Sequence, residues 1–262
     1  MKAAPNYPTI EHERAAQAIV DFFAKSSDVA AVLLTCSCAR GKATPDSCLD
    51  ISVLLQPTTT PYRQAKLARK WEAFHAQEKS FASLAKVGKF SHLDLEFTEG
   101  RFWPGDHGPT SGPDNFELEI GNTLAYSVPL CENGEYLARL KARWLPYYDE
   151  ELRRKRLAMV RHYCLNNLDH ILLFVPRGLY FQAFDRFYHA FGEFLQALFI
   201  KRRVYPIAYD KWVREQVEEI LGLPELYRQL PGLFETDRFE SDALVQKEAH
   251  LRALLEEYAA EE

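Results

Sequence analysis

A chain of 262 residues with 47% hydrophobic and 26% charged residues can bury one substantial core or two modest ones. Its formal charge of −5 gives no general attraction to a polyanion, so long nucleic acid is not an expected partner; a small anionic nucleotide needs only a local positive site. No apolar run approaches the roughly 20 residues of a membrane span, and "MKAAPNYPTIEHER" lacks an apolar signal core, so a cytoplasmic protein with no membrane partner is expected.

Along the chain, residues 9–25 carry Ile10, Ala16, Ile19, Val20 and Phe23 at helical spacing. "VAAVLLT" (Val29–Thr35) is a short apolar run, the mark of a strand buried on both faces, and "LDISVLL" (Leu49–Leu55) is a second, ended by Pro57. The pattern is helical from Pro61 to Val87. Phe90–Phe97 then alternates, with His92, Asp94 and Glu96 on one face. A Gly- and Pro-rich loop, "TEGRFWPGDHGPTSGPDN", follows, long enough to predict a functional flap or a surface excursion. From Glu135 onward no convincing strand is present. Leu157, Val160, Cys164, Leu168 and Ile171 form one helical stripe, and Phe181, Phe184, Tyr188, Phe191, Leu195 and Leu198 a second. On the second helix Gln182, Asp185, His189, Gly192 and Gln196 make an opposite, polar face expected to be solvated, although Gly192 hints at close approach by a chain or ligand. The expectation is an α+β protein: a small mixed sheet with helices over 1–134, then an all-α helical bundle over 135–262. The 17 Phe and 13 Tyr are explained mostly by core packing, with a helical homodimer interface as a second use.

Chemistry concentrates in "TCSCARGKATPDSCLDISVLLQP", Thr35 to Pro57. Ser37, Arg40, Gly41 and Lys42 offer a hydroxyl, backbone amides and two cations after a strand, the groups that hold a triphosphate. The next strand presents Cys48, Asp50 and Ser52 on one face, and the later strand presents His92, Asp94 and Glu96. Carboxylates from neighbouring strands beside such a loop would make an oxygen-ligand magnesium site. Five cysteines suggest no secreted disulfide framework. Cys36, Cys38 and Cys48 cluster in sequence, but a structural zinc site wants four ligands and the fourth, Cys131 or a histidine, would come from far along the chain, so buried thiols are expected.

These residues resemble the DNA polymerase β-like nucleotidyltransferase superfamily, whose loop reads Gly-Ser-x-Ala-Arg-Gly before a strand of the form Ser-Asp-hydrophobic-Asp-hydrophobic. Ser37, Ala39, Arg40 and Gly41 match, with Cys36 in place of the first glycine; "SCLDISVLL" matches the strand, with Asp50 as its second aspartate and Cys48 where the first belongs. The segment "FDRFYHAFGEFLQALFIKRRVYPIAYDKW" resembles the helical domain of bacterial aminoglycoside-type nucleotidyltransferases. The resemblance implies transfer of a nucleoside monophosphate from a magnesium-bound NTP, ATP by family frequency, to an acceptor hydroxyl, in a cleft between the two parts. It implies Ser37, Arg40, Gly41, Lys42 and Lys211 as nucleotide-binding residues, and Asp50 with Asp94 or Glu96 as metal ligands. One of the later carboxylates, or Asp185, would receive the acceptor's proton. Cys48 removes one hard ligand and weakens such a site. The alternatives are a catalytically silent nucleotide-binding or regulatory protein, and an antitoxin-like enzyme whose acceptor is a protein partner rather than a small molecule.

Overall fold

A computed structural model describes residues 5–261. They form an α+β protein in two compact units. The first comprises residues up to Phe102 together with Ile120–Pro146; the second comprises Trp103–Glu119 with Tyr147 onward.

In the first unit, α1 (Ile10–Phe23) starts at Thr9, whose hydroxyl accepts the backbone N–H of His12, with Glu11 and Glu13 favourable in the first turn. Its buried Ala15, Ala16, Ile19 and Phe23 follow the helical repeat. The strands are β1 (Val29–Leu34), β2 (Leu49–Leu55), β3 (Leu93–Thr98) and β4 (Val128–Glu132), in the spatial order β3-β2-β1-β4. A single helical turn, α2 (Cys36–Ala39), follows β1, and α3 (Pro61–His75) and α4 (Lys79–Leu84) occupy the connection from β2 to β3. β2 runs antiparallel to β1 and parallel to β3; β4 is antiparallel to β1, so the sheet is mixed. Sequence reading found the first three strands but not β4, which is five residues long and carries Pro129 on an edge, where a missing N–H costs no ladder bond.

Alternation along β2 sets the two faces of the sheet. Leu49, Ile51, Val53 and Leu55 join Ile19, Phe23, Leu67, Trp71, Phe81 and Leu84 in one apolar cluster. Asp50, Ser52 and Leu54 therefore point to the other face. Leu54 is covered there by α6 (Tyr136–Trp144): a Cβ on Gly100 would stand 2.5 Å from Leu140 Cδ1 and 3.0 Å from Leu54 Cδ1. Contacts thus keep α6 with the sheet, where composition alone set a division at 134, because loss of strands in the sequence does not record what a following helix packs on.

The second unit is built on α7 (Glu150–Phe174) and α8 (Tyr180–Arg202), which turn at Gly178, a left-handed position with φ 72°. The short helix α5 (Phe116–Ile120) begins within this unit, and α9 (Pro224–Gln229) and α10 (Ala243–Ala259) complete it. The expected stripe of α7 is buried throughout. On α8 the expectation fails in its first half: Phe181 is 78% exposed and Tyr188 43%, while Ala183, Phe187 and Phe194 are buried. Ala190 to Ile200 are buried all round. A helix apolar on every side has no single stripe, and extending the pattern backward from its centre picks the wrong phase.

Of the two forms expected for the loop, the surface excursion is found: most of residues 101–111 are exposed, and the segment is tied as a strap to α7 and α8. Tyr163 Oη donates to His107 O, Asn166 Nδ2 to Pro109 O at 3.0 Å, and Arg186 Nη1 to Thr110 O at 2.9 Å. Pro113 packs on Gly192, where a Cβ would lie 2.9 Å from its ring. Gly192 therefore does mark a close approach, by this chain's own Pro113. Gln196, expected on a solvated face, is fully buried and donates to Glu117 Oε2 at 2.8 Å. Arg156 completes this network, pairing with Asp114 at 2.8 Å and Glu117 at 2.6 Å, and Tyr148 Oη donates to Glu117 at 2.7 Å. Among the described residues no helix is long and apolar enough to cross a membrane.

Candidate metal centre

The candidate site lies wholly within the first unit, at one end of the sheet face that the apolar cluster leaves open. Parallel pairing sets Asp50 of β2 directly beside Asp94 of β3, and Ser52 beside Glu96. Cys48, just before β2, lies on the same face as Asp50, and its thiol donates to the Asp50 carboxylate at 3.2 and 3.4 Å. Ligand atoms of Cys48, Asp50 and Asp94 all lie within 4.8 Å of one another. They adjoin a cleft of about 350 Å³ lined by Thr35, Cys36, Asp50, Asp94 and Glu96.

The turn between β1 and β2 forms one wall. Thr35 N–H donates to Asp50 O at 3.0 Å, closing the hairpin at the level of the aspartate. Cys36 adopts φ 53°, in the left-handed region, and Gly41 adopts φ 69°. Position 36 is where the resembled pattern carries glycine, and the backbone there has the conformation that glycine tolerates best. Lys42 N–H donates to Ser37 O at 3.0 Å, folding the loop back on itself. Ser37 and Arg40 are half-buried, whereas Gly41 and Lys42 are exposed.

Supports for this turn were not legible in the sequence. His12, fully buried, lies 2.9 Å from Ser47 O through Nε2 and 2.8 Å from the Thr9 hydroxyl through Nδ1. A carbonyl only accepts, so Nε2 carries the proton and Thr9 Oγ1 donates to Nδ1. Ser91 Oγ donates to Pro45 O at 2.7 Å, and Phe90 N–H donates to Asp46 Oδ1 at 3.3 Å. Asp46, the loop carboxylate nearest the missing aspartate in sequence, is thus fixed against Gly88 and Phe90 and is not one of the three clustered ligands. His92 Nε2 stands 3.3 Å from Asp94 Oδ2, both side chains being more than half exposed.

Burial, and then the neighbouring Asp50 carboxylate, push the Cys48 thiol up to about 12; the same two causes raise Cys38 to about 12. Without a cation Cys48 is therefore a neutral thiol donor. The donor set is one sulfur and two carboxylates, not the all-oxygen shell that magnesium takes. Glu96 is exposed and lines the cleft outside the three-ligand cluster. Asp185 and Lys211 belong to the second unit; both are exposed, and Asp185 Oδ2 lies 3.9 Å from His189 Nδ1. No protein-family model matches the chain, and no curated protein matches it.

Proposed function

We propose that this protein is a nucleotidyltransferase that moves a nucleoside monophosphate from an NTP, ATP in the first instance, to an acceptor hydroxyl. The observation that supports the reading is the register Asp50↔Asp94, which sets carboxylates of adjacent strands beside a turn carrying Ser37, Arg40 and Lys42, at the edge of a cleft of nucleotide size. In this reading Ser37 and Lys42 hold the β- and γ-phosphates, and Arg40 braces the turn. Glu96, exposed and outside the ligand cluster, takes the acceptor proton. The acceptor oxygen forms its bond to the α-phosphorus, the bond from that phosphorus to the bridging oxygen breaks, and pyrophosphate leaves with the electron pair. A divalent cation held by Asp50 and Asp94 would neutralise charge on the phosphates.

Calorimetric titration with ATP and the other three NTPs, in the presence of Mg²⁺ and separately of Mn²⁺, tests the binding step. Saturable, cation-dependent heat that disappears in Asp50→Asn supports the reading; absence of binding by folded protein for every nucleotide overturns it. Pyrophosphate release measured on the same samples separates transfer from binding without turnover.

A further inference from the structure

We infer that Cys48, Asp50 and Asp94 form an open site for a thiophilic divalent cation of the zinc class, selected over magnesium. This deepens the reading above by naming the cation, and it rests on that reading only for what the site is used for. The first argument is donor chemistry. Replacing one hard oxygen of a carboxylate cluster by sulfur weakens the site for Mg²⁺, which takes octahedral oxygen, and strengthens it for cations that accept mixed sulfur and oxygen ligands. The second is spacing. Donors at about 2.3 Å (sulfur) and 2.1 Å (oxygen) on a tetrahedral ion stand about 3.6 Å apart. Cys48 Sγ already lies 3.2 and 3.4 Å from the two oxygens of Asp50, with Asp94 inside the same 4.8 Å cluster. Small shifts of side chains on two hydrogen-bonded strands bring all three into contact with one ion.

Ser52 is a further polar group on the same strand face. It is 1% exposed, its hydroxyl has no hydrogen-bond partner, and alternation places it on the Asp50 face, beside Glu96 in the register. Buried hydroxyls are ordinarily satisfied; this one lies two residues along β2 from Asp50 and outside the lining of the cleft, so it marks the polar face rather than a ligand position. Support before the ligands is also built: the His12 and Ser91 ties hold the chain just before Cys48. Three protein ligands leave a fourth tetrahedral position, and the adjoining 350 Å³ cleft gives it access, as in sites where zinc meets a substrate rather than in closed structural ones. On ligation Cys48 gives up its thiol proton to solvent and binds as thiolate.

The test is metal binding by the full chain without nucleotide, read by chelator competition for Zn²⁺ and by the absorption spectrum of the Co²⁺-loaded protein. One equivalent of Zn²⁺ is expected, held at least about 100-fold more tightly than Mg²⁺, and the cobalt form shows thiolate-to-metal charge transfer. Cys48→Ser loses that band and at least about 100-fold in zinc affinity; Cys36→Ser and Cys131→Ser keep both. Asp94→Asn, at an exposed position that does not threaten folding, weakens zinc while keeping the cobalt–thiolate band. Cys48→Asp shifts the preference toward Mg²⁺. Equal affinity for Mg²⁺ and Zn²⁺, or a zinc affinity and cobalt spectrum unchanged in folded Cys48→Ser, overturns the inference. Zinc bound through Cys48 by a protein that binds no NTP leaves the inference standing and removes the nucleotidyl-transfer reading.

Discussion

Cys36 and Gly192 show how much one backbone position can decide. A non-glycine residue in the left-handed region costs about 1–2 kcal/mol, while glycine carries an entropy penalty of about 0.5–1 kcal/mol. Cys36→Gly is therefore expected to leave the unfolding free energy, read by urea denaturation, within about 1 kcal/mol of the parent, on the stabilised side. Cys36→Val, branched at Cβ in the same conformation, is expected to lower stability by about 2 kcal/mol. Equal loss in both variants would show that the thiol rather than the backbone matters there. Gly192 is the opposite case. Alanine favours a helix interior over glycine by about 1 kcal/mol, but its Cβ would sit 2.9 Å from the Pro113 ring. Gly192→Ala should destabilise by about 1–3 kcal/mol through overpacking; a stabilised variant in thermal unfolding would mean that the strap yields.

Among the elements, the strap from Trp103 to Glu119 owes its place to charge as much as to shape. Arg156 is buried between two carboxylates, Asp114 and Glu117, and Gln196 and Tyr148 fill the remaining valences of Glu117. Replacing both signs by apolar groups is often harmless, whereas removing the arginine alone strands the buried Glu117 and the partly buried Asp114. Arg156→Ala is expected to cost about 3–5 kcal/mol and to expose new protease cleavage sites between residues 103 and 114. Unchanged proteolysis with a lowered melting point would locate the damage in α7 instead. The β1–β2 hairpin is held by a different device. Its turn has little core of its own and relies on His12, Ser91 and the Thr35–Asp50 hydrogen bond to set Cys48 and Asp50 side by side.

At the scale of the whole molecule, pH dependence of stability has an identifiable contributor in the helical unit. Glu193 is buried on α8, and desolvation pushes its carboxyl up to about 8, against the opposing effects of the Asn167 hydrogen bond and the Arg186 charge. In the unfolded chain it titrates near the ordinary carboxylate value. Between those two values the folded state holds the proton and the unfolded state does not, so stability from this group is full below the unfolded value and is lost as pH rises toward 8. The slope should approach about 1.4 kcal/mol per pH unit between pH 5 and 8, appearing as a falling melting temperature. Glu193→Gln, which keeps the shape without the titration, should flatten it; an unchanged slope would assign the dependence to other groups.

Much of this architecture was legible because it depends on local periodicity. The apolar runs of β1 and β2 and the stripe of α7 follow from residues that must leave water wherever the chain goes. The same holds for the motif around Ser37 and Asp50, whose residue types announce a polar task inside an apolar strand. What only the tertiary structure decided were relations between segments far apart in sequence. Parallel rather than antiparallel pairing of β2 with β3 put Asp94 beside Asp50 and Cys48, and the ties at Phe90 and Gly88 kept Asp46 out of that cluster. The strap buried Gln196, whose polarity had suggested solvent, in a network with Arg156 and Glu117, while Phe181 and Tyr188, whose apolar rings had suggested core, are exposed. The physical reason is the same in each case. A side chain's preference for water is written in its chemistry, but which partner satisfies it depends on the segment that arrives to cover it.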